Sequence, residues 1–248
     1  VRSDPIVLRF LGSGDAFGSG GRFQACLHVT GPGGTVLVDG GASSLIPLKA
    51  ARLDPGEIDA VVVSHLHGDH FGGLPLLVLD GQFARRTRPL LIAGPPGLGA
   101  RLVTAMEVFF PGSSTVTRRF AVECLELAER APTPVGPVTV TAFAVRHPSS
   151  APAYALRLAW DGRVLGYSGD TEWTETLVEV ADGADLFVCE AYFADKSIPH
   201  HLDYRTLAAH RHRLACRRLI VSHLSSDMLA RRAALDVECA DDGLVVEL

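Results

Sequence analysis

Apolar residues gather along this chain in short runs rich in valine, isoleucine and leucine, each closed by glycine, proline or a polar cluster. Such runs predict strands rather than helices. In the first half they fall at residues 6–11, 25–29, 35–38, 60–63 and 90–92, with Gly31-Pro32-Gly33-Gly34 supplying a turn between the second and third. In the second half they fall at 138–145, 155–159, 164–167, 186–189 and 219–221. Helices are predicted from Ser43 or Ser44 onward, over 73–79, over 98–109 after Pro95-Pro96, and over 174–181, 204–215 and 227–234. The 204–215 segment puts Leu207, Ala208, Leu214 and Ala215 on one face. Pro132-Thr133-Pro134 with Gly136-Pro137 reads as a loop between two similar halves. Strands in clusters, then strands mixed with helices in both halves, predict an α/β sandwich. Two sheets would lie face to face with helices outside, rather than forming one doubly wound sheet.

Length and composition narrow the class. The 248 residues suit a single domain over 1–248, and 47% hydrophobic against 21% charged residues excludes a disordered chain. The net charge of −5 lacks the basic excess of a dedicated nucleic-acid binder. Cysteines at 26, 124, 189, 216 and 239 are odd in number, widely spaced and free of C-x-x-C, which argues against a disulfide framework or a cysteine zinc site and suits a reducing cytoplasm. No run approaches the length of a membrane-spanning helix. The opening Val1-Arg2-Ser3-Asp4 has no signal-like apolar segment, and its non-Met start leaves room for a removed leader. Ten histidines against two tryptophans and two methionines are the unusual count.

The histidines gather at strand ends. Val61-Val62-Val63 runs into Ser64-His65-Leu66-His67-Gly68-Asp69-His70, the 138–145 run into Arg146-His147, and the 164–167 run into Ser168-Gly169-Asp170. The 186–189 run leads into Glu190, and Leu219-Ile220-Val221 into Ser222-His223. Loops at one edge of a sheet scaffold are where sites are built. In an extended backbone, His65 and His67 project to the same side and can share one metal. Asp69 and His70, on the following turn, can serve a second metal about 3.5–4 Å away. Imidazole with carboxylate suits zinc, with iron or manganese as alternatives. The competing reading, a polar loop capping a helix at Asp69, explains one carboxylate but not three neighbouring histidines. His147 alone reads equally as a loop histidine, and Asp170 alone as a turn residue or the cap before Thr171.

Taken together these residues resemble the metallo-β-lactamase superfamily, which carries H-x-H-x-D-H followed by a distal His, an Asp and a His. The match is His65, His67, Asp69 and His70, then His147, Asp170 and His223, in order and in strand context over nearly the whole chain. Within it the chain is similar to the ribonuclease Z branch. Phe10-Leu11-Gly12-Ser13-Gly14-Asp15-Ala16 with Arg22, His67-Gly68-Asp69-His70-Phe71-Gly72-Gly73-Leu74-Pro75, Gly94-Pro95-Pro96-Gly97 and Glu190-Ala191-Tyr192 resemble that branch's motifs, and His201 stands 22 residues before His223. The resemblance implies an αββα sandwich and two zinc ions, one on His65, His67 and His147, the other on Asp69, His70 and His223. Asp170 would bridge the two metals. Asp39 would accept an imidazole N–H behind the metals, unless it is only a turn residue before Gly40-Gly41. Members of the branch are often dimers, so a homodimer is a further expectation.

The chemistry implied is hydrolysis. Two metals would activate a water near neutral pH, with Asp69 orienting it or accepting its proton. His201, held by Glu190, would protonate a leaving alkoxide. His200 and His28 are read as having no role, and His210 and His212 as a solvated helix face. The chain departs from ribonuclease Z in one large way. That branch inserts a glycine- and lysine-rich arm that grips transfer RNA, whereas here about 22 residues separate His147 from Asp170 and about 10 separate Glu190 from His201. Arg85-Arg86-Arg88, Arg118-Arg119 and Arg217-Arg218 read as solvated faces rather than a phosphate track. A weak electrostatic pull on a long polyanion points to a small phosphodiester, such as a cyclic nucleotide or nucleotide ester. Tyr192 and Cys189 differ from the branch pattern and are expected to reshape the pocket. The alternatives are a hydrolase of lactones, thioesters or β-lactams on the same metals, and a non-catalytic metal-binding protein.

Overall fold

The computed structural model describes residues 5–248, so the reading of Val1 to Asp4 lies outside the described residues. The first sheet is built from β1 (Val7–Gly12), β2 (Cys26–Gly31), β3 (Gly34–Val38), β4 (Ala60–Val62), β5 (Leu90–Gly94) and β6 (Val122–Glu126). The second is built from β7 (Thr133–Val135), β8 (Val138–Ala144), β9 (Tyr154–Trp160), β10 (Arg163–Tyr167), β11 (Leu186–Glu190), β12 (Leu219–Ser222) and β13 (Glu238–Cys239). The last strand, β14 (Val245–Glu247), crosses back and pairs with β1, so among the described residues each sheet has seven strands, in the orders β14-β1-β2-β3-β4-β5-β6 and β13-β12-β11-β10-β9-β8-β7. Starting from β14 or from β7, each sheet makes antiparallel pairings first and parallel pairings afterwards. The two halves share one plan.

Helices α1 (Leu45–Ala50), α2 (Gly68–Phe71), α3 (Leu74–Phe83) and α4 (Leu98–Phe109) cover the first sheet. Helices α5 (Thr176–Ala181), α6 (Tyr204–His210) and α7 (Ser226–Arg231) cover the second. The apolar runs of the central strands β4 and β11 are continuous because those strands are buried on both faces. In β4, Ala60 and Val62 pack between the sheets while Val61 and Val63 pack under the helices. In β11, Leu186 and Val188 face the inter-sheet core while Phe187 and Cys189 face the helices. The expected αββα sandwich of two mixed sheets is the observed architecture.

Several local expectations are corrected. Residues 132–137 are not simply a loop: Thr133–Val135 is the edge strand β7, paired with β8 across a tight turn at Gly136, whose φ is 58°. Pro134 is tolerated there because an edge strand need not donate on its outer side. The 204–215 helix stops at His210 and tightens into a 3-10 turn over Arg211–Arg213. Arg86 is not on a solvated face; it is buried, with its guanidinium donating to the carbonyls of Arg88, Pro55, Ile58 and Pro89. His210 likewise is not simply solvated, because its ring stacks on Trp173 at 4.1 Å. The link between β9 and β10 is only Asp161-Gly162, both at positive φ, so the stretch from His147 to Asp170 is a hairpin.

Candidate metal centre

Strand direction gathers the polar residues. Two antiparallel steps separate β8 from β10, so both run the same way, and β10, β11 and β12 are mutually parallel. Their carboxyl ends share one edge. The end of β4 meets that edge from the other sheet, where the Tyr154 N–H donates to the Ser64 carbonyl at 3.0 Å. After β4 the chain bends at Ser64 and again at His67, whose own backbone is extended, and then turns into α2, which puts Asp69 and His70 in its single turn. Asp170 enters by a Ser168-Gly169-Asp170 turn. Gly169 has φ 55°, and a Cβ there would lie 2.8 Å from the Tyr154 carbonyl oxygen, so only glycine lets this turn close.

Two groups of donors result. His65, His67 and His147 form one; Asp69, His70, Asp170 and His223 form the other, and all four of the second are buried. His147 Nε2 lies 3.0 Å from His67 Nδ1 and 3.9 Å from Asp170 Oδ2. His70 Nε2 lies 3.1 Å from Asp170 Oδ1 and 3.4 Å from Asp69 Oδ2, and His223 Nε2 lies 3.2 Å from Asp69 Oδ2. Asp170 faces both groups, since its Oδ2 is also 3.8 Å from His65 Nε2.

The tautomers are fixed from behind. Asp39 is fully buried, in a left-handed conformation with φ 59°. Its Oδ2 accepts from His70 Nδ1–H at 2.6 Å, the Ser64 hydroxyl at 2.8 Å and the Tyr167 hydroxyl at 2.8 Å, and its Oδ1 accepts from the Ser64 N–H at 2.7 Å. The Ser64 hydroxyl, having donated to Asp39, accepts from His65 Nδ1–H at 3.0 Å. With both Nδ1 protons spent in this way, the neutral rings of His65 and His70 aim bare Nε2 lone pairs at carboxylate oxygens. His65 Nε2, His70 Nε2 and Asp170 Oδ1 are all buried without a hydrogen-bond partner. Acceptors facing acceptors in a buried site are costly unless a cation lies among them. Imidazole and carboxylate together are the donor set that zinc takes, so these residues fit divalent metal.

Without a cation, the same carboxylate field is met by protons on His70 and His223, and a metal would take the place of those protons. Burial opposes charge on His70, yet Asp170, Asp39 and Asp69 outweigh it and hold His70 well above its ordinary pKa. Burial likewise opposes charge on His223, but Asp170 and Asp69 push it up to about 9. Burial and the neighbouring His70 instead hold His65 well below its ordinary value. Despite burial, His223 and His70 keep the Asp170 carboxyl well below the usual carboxylate range. The field of the three carboxylates calls for positive charge at the positions a metal would take.

Beside these groups stands a third arrangement. Glu190 Oε1 accepts from His201 Nδ1–H, and Oε2 accepts from the Thr171 N–H at 2.9 Å and the Leu202 N–H at 3.1 Å. Burial pushes the Glu190 carboxyl up, as does Asp170, while burial of His201 is outweighed by Glu190, which raises the imidazole. The His201 ring, 5.0 Å from that of His147, stays partly open to solvent. Tyr192 lines the same opening, 4.9 Å from the His201 ring. Cys189 faces the helix-side core, so its difference from the branch pattern does not reach the pocket. All nine residues singled out from sequence therefore come together, and Asp39 lies behind them. Sequence reasoning missed Ser64, Tyr167 and Thr171. Tyr167, a phenol at the end of a buried strand next to Ser168-Gly169-Asp170, carried the only readable signal.

Comparison with known proteins places this geometry. The profile of the family described as anti-Pycsar protein Apyc1 matches residues 6–236. Ribonuclease Z of Agathobacter rectalis is 29% identical over 221 residues, spanning 71% of this chain and 71% of that protein. The short form of human tRNase Z superposes with a TM-score of 0.78 at 25% identity, covering 97% of this chain and 98% of that one. The metallo-β-lactamase fold protein YhfI from Bacillus subtilis has a TM-score of 0.76 at 21% identity, covering 98% and 100%.

Proposed function

The chain belongs to the anti-Pycsar protein Apyc1 family and is a metal-dependent hydrolase of the metallo-β-lactamase fold related to ribonuclease Z, and from that premise we propose that it is a dinuclear zinc phosphodiesterase acting on a small phosphodiester or nucleotide. The observation that carries the reading is the His201–Glu190 pair set beside two groups of metal-fitting donors. His65, His67 and His147 would hold one zinc, and Asp69, His70 and His223 the other, with Asp170 between them. Zinc held there supplies Lewis-acid activation of water and neutralises charge on phosphoryl oxygens. Asp69, whose Oδ2 faces His70 and His223, would orient the attacking water or accept its proton through the carboxylate oxygen left free. Glu190 holds the His201 ring by Nδ1, which leaves Nε2 to carry a proton to the leaving alkoxide. An acyl substrate with a good leaving group has no need of that donor.

A small substrate is supported by the Asp161-Gly162 hairpin, which leaves no room for an arm between His147 and Asp170, and by the net charge of −5. A homodimer is supported by an apolar groove of about 740 Å³ between α3 and α4, edged by Phe83, Phe109, Phe110 and Val116. No helix among the described residues is long and apolar enough to cross a membrane, and the five free thiols suit a cytoplasmic setting.

The test is metal analysis with a substrate panel. Purified protein should hold two zinc equivalents and hydrolyse bis(p-nitrophenyl) phosphate and nucleotide phosphodiesters. His201→Ala should cost about 100-fold or more on alkyl phosphodiesters and less on the p-nitrophenyl ester, whose leaving group needs little protonation. Turnover of lactones or a cephalosporin, with phosphodiesters untouched and His201→Ala silent, would reject the proposal in favour of carboxylic ester chemistry.

A further inference from the structure

The loop from Tyr192 to His201 carries the proton donor, and its backbone does something its side chains do not announce. His200 has φ 71°, a left-handed conformation that a histidine adopts only at some cost. That conformation turns the His200 carbonyl onto His147 Nδ1, at 2.9 Å. A carbonyl only accepts, so Nδ1 carries the proton and the Nε2 of a neutral His147 is left as a lone pair facing His67. The conformation is held from the other side by Glu172, whose Oε1 accepts from the His200 N–H at 3.2 Å and lies 3.4 Å from His200 Nδ1. Glu172 in turn donates its own N–H to the Arg146 carbonyl at 3.3 Å, one residue before His147. One residue after His200, His201 is tied to Glu190, which also accepts the Thr171 N–H, while the Thr171 hydroxyl accepts the Arg146 N–H at 3.2 Å. The bonds close a ring running from His147 through His200, His201, Glu190 and Thr171 back to Arg146.

We propose that His200 and Glu172 are positioning residues that latch the loop carrying His201 to the metal-facing imidazole of His147, so that metal binding and placement of the proton donor are coupled. The inference rests on the metal-centre reading above. A cation on Nε2 withdraws density from the ring and makes Nδ1–H a stronger donor, which tightens the bond to the His200 carbonyl. By linkage, a well-formed latch raises metal affinity by the same factor. Neither residue is among the grouped metal-fitting donors; both act through the His200 backbone, whose carbonyl meets His147.

Hydrogen–deuterium exchange on the whole protein, chelated and zinc-loaded, tests this. Zinc should slow exchange at residues 65–71 and, through the latch, at 198–203 by about tenfold. His200→Val, whose β-branched side chain resists the left-handed region, should weaken zinc binding by about tenfold or more. At saturating zinc it should lower kcat with KM unchanged, because His201 is misplaced for proton transfer only. His200→Gly, which keeps the backbone conformation and the carbonyl, should restore zinc affinity to within about threefold. Protection at 65–71 without protection at 198–203 overturns the latch while leaving the metal centre intact. Equal zinc affinity and kcat in the Val and Gly variants also overturns it. Protection at neither segment removes the metal-centre reading and the latch with it. Should the Val variant fail to fold, the comparison on the unaltered protein decides.

Discussion

Replacing Asp39 by asparagine should damage the metal centre from behind, and unevenly. Asp39 is fully buried and accepts four hydrogen bonds, three on Oδ2 and one on Oδ1. An asparagine has one acceptor oxygen. Turned toward His70, Ser64 Oγ and Tyr167, it sets its amide N–H against the Ser64 N–H; turned the other way, it abandons three donors. The first orientation costs less, leaving one buried donor clash at about 1–3 kcal/mol and weakening three bonds that lose their charge assistance. Folding stability should fall by about 2–4 kcal/mol. His70 loses the carboxylate that orients it, so affinity at the Asp69–His70–His223 position should fall by about 10–100-fold. The His65–His67–His147 position is reached only through the Ser64 hydroxyl and should lose less. Competition with a chromophoric chelator, read as two successive zinc equivalents, measures both. Tyr167→Phe is the internal control, since it removes one donor and should cost about 1 kcal/mol with little change in either affinity. Two zinc affinities unchanged in the Asn variant, or a larger loss at the His65 position, would refute this account of Asp39.

Other expectations concern the scaffold. Burial, together with Arg9 across the β1–β2 pair, pushes His28 down to about 4 from 6.5, so the unfolded chain binds the proton more readily. That contribution is fully present above about pH 6.5 and is lost as pH falls toward 4, about 2 kcal/mol by pH 5; denaturant titrations at several pH values should show it, and His28→Gln should flatten the curve over that window. Arg86→Met strands four carbonyls and should lower stability by about 3 kcal/mol, a Tm drop of roughly 10 °C; a drop of a degree or two in calorimetry would contradict its structural role. Chelation should lower the Tm of zinc-loaded protein and zinc should restore it, because a ligand bound only by the folded state stabilises that state.

The parts of the fold that could be read beforehand are those that one local pattern determines. The run at 138–145 is the strand β8, Val138–Ala144, because Val138, Val140 and Ala142 alternate with threonines and point into the core between the sheets. The edge strands escaped for the opposite reason. β6 carries Glu123 and Glu126 on open faces, and β14 is defined by pairing with β1 at the far end of the chain. The site was legible where side chains carry the chemistry, as with His65, His67, Asp69 and His70. It was illegible where the backbone carries it. No residue type announces that the His200 carbonyl will meet His147, nor that a positive φ will aim it. Arg86 was misread because one arginine among three looks like a charged surface, and only the folded chain shows which one turns inward.

The crossing of β14 back to β1 has a consequence for how the protein comes into being. A first half that emerges from the ribosome with its helices and six strands still exposes the outer edge of β1. The strand that covers it is made nearly last, after His223 has supplied the final donor at the centre. The first sheet is thus completed only when synthesis of this region ends, and metal capture and sheet closure fall in the same late interval. Until then β1 offers an unpaired edge to any neighbouring chain, which makes the unfinished nascent protein the aggregation-prone species and chaperone binding to it the expected safeguard.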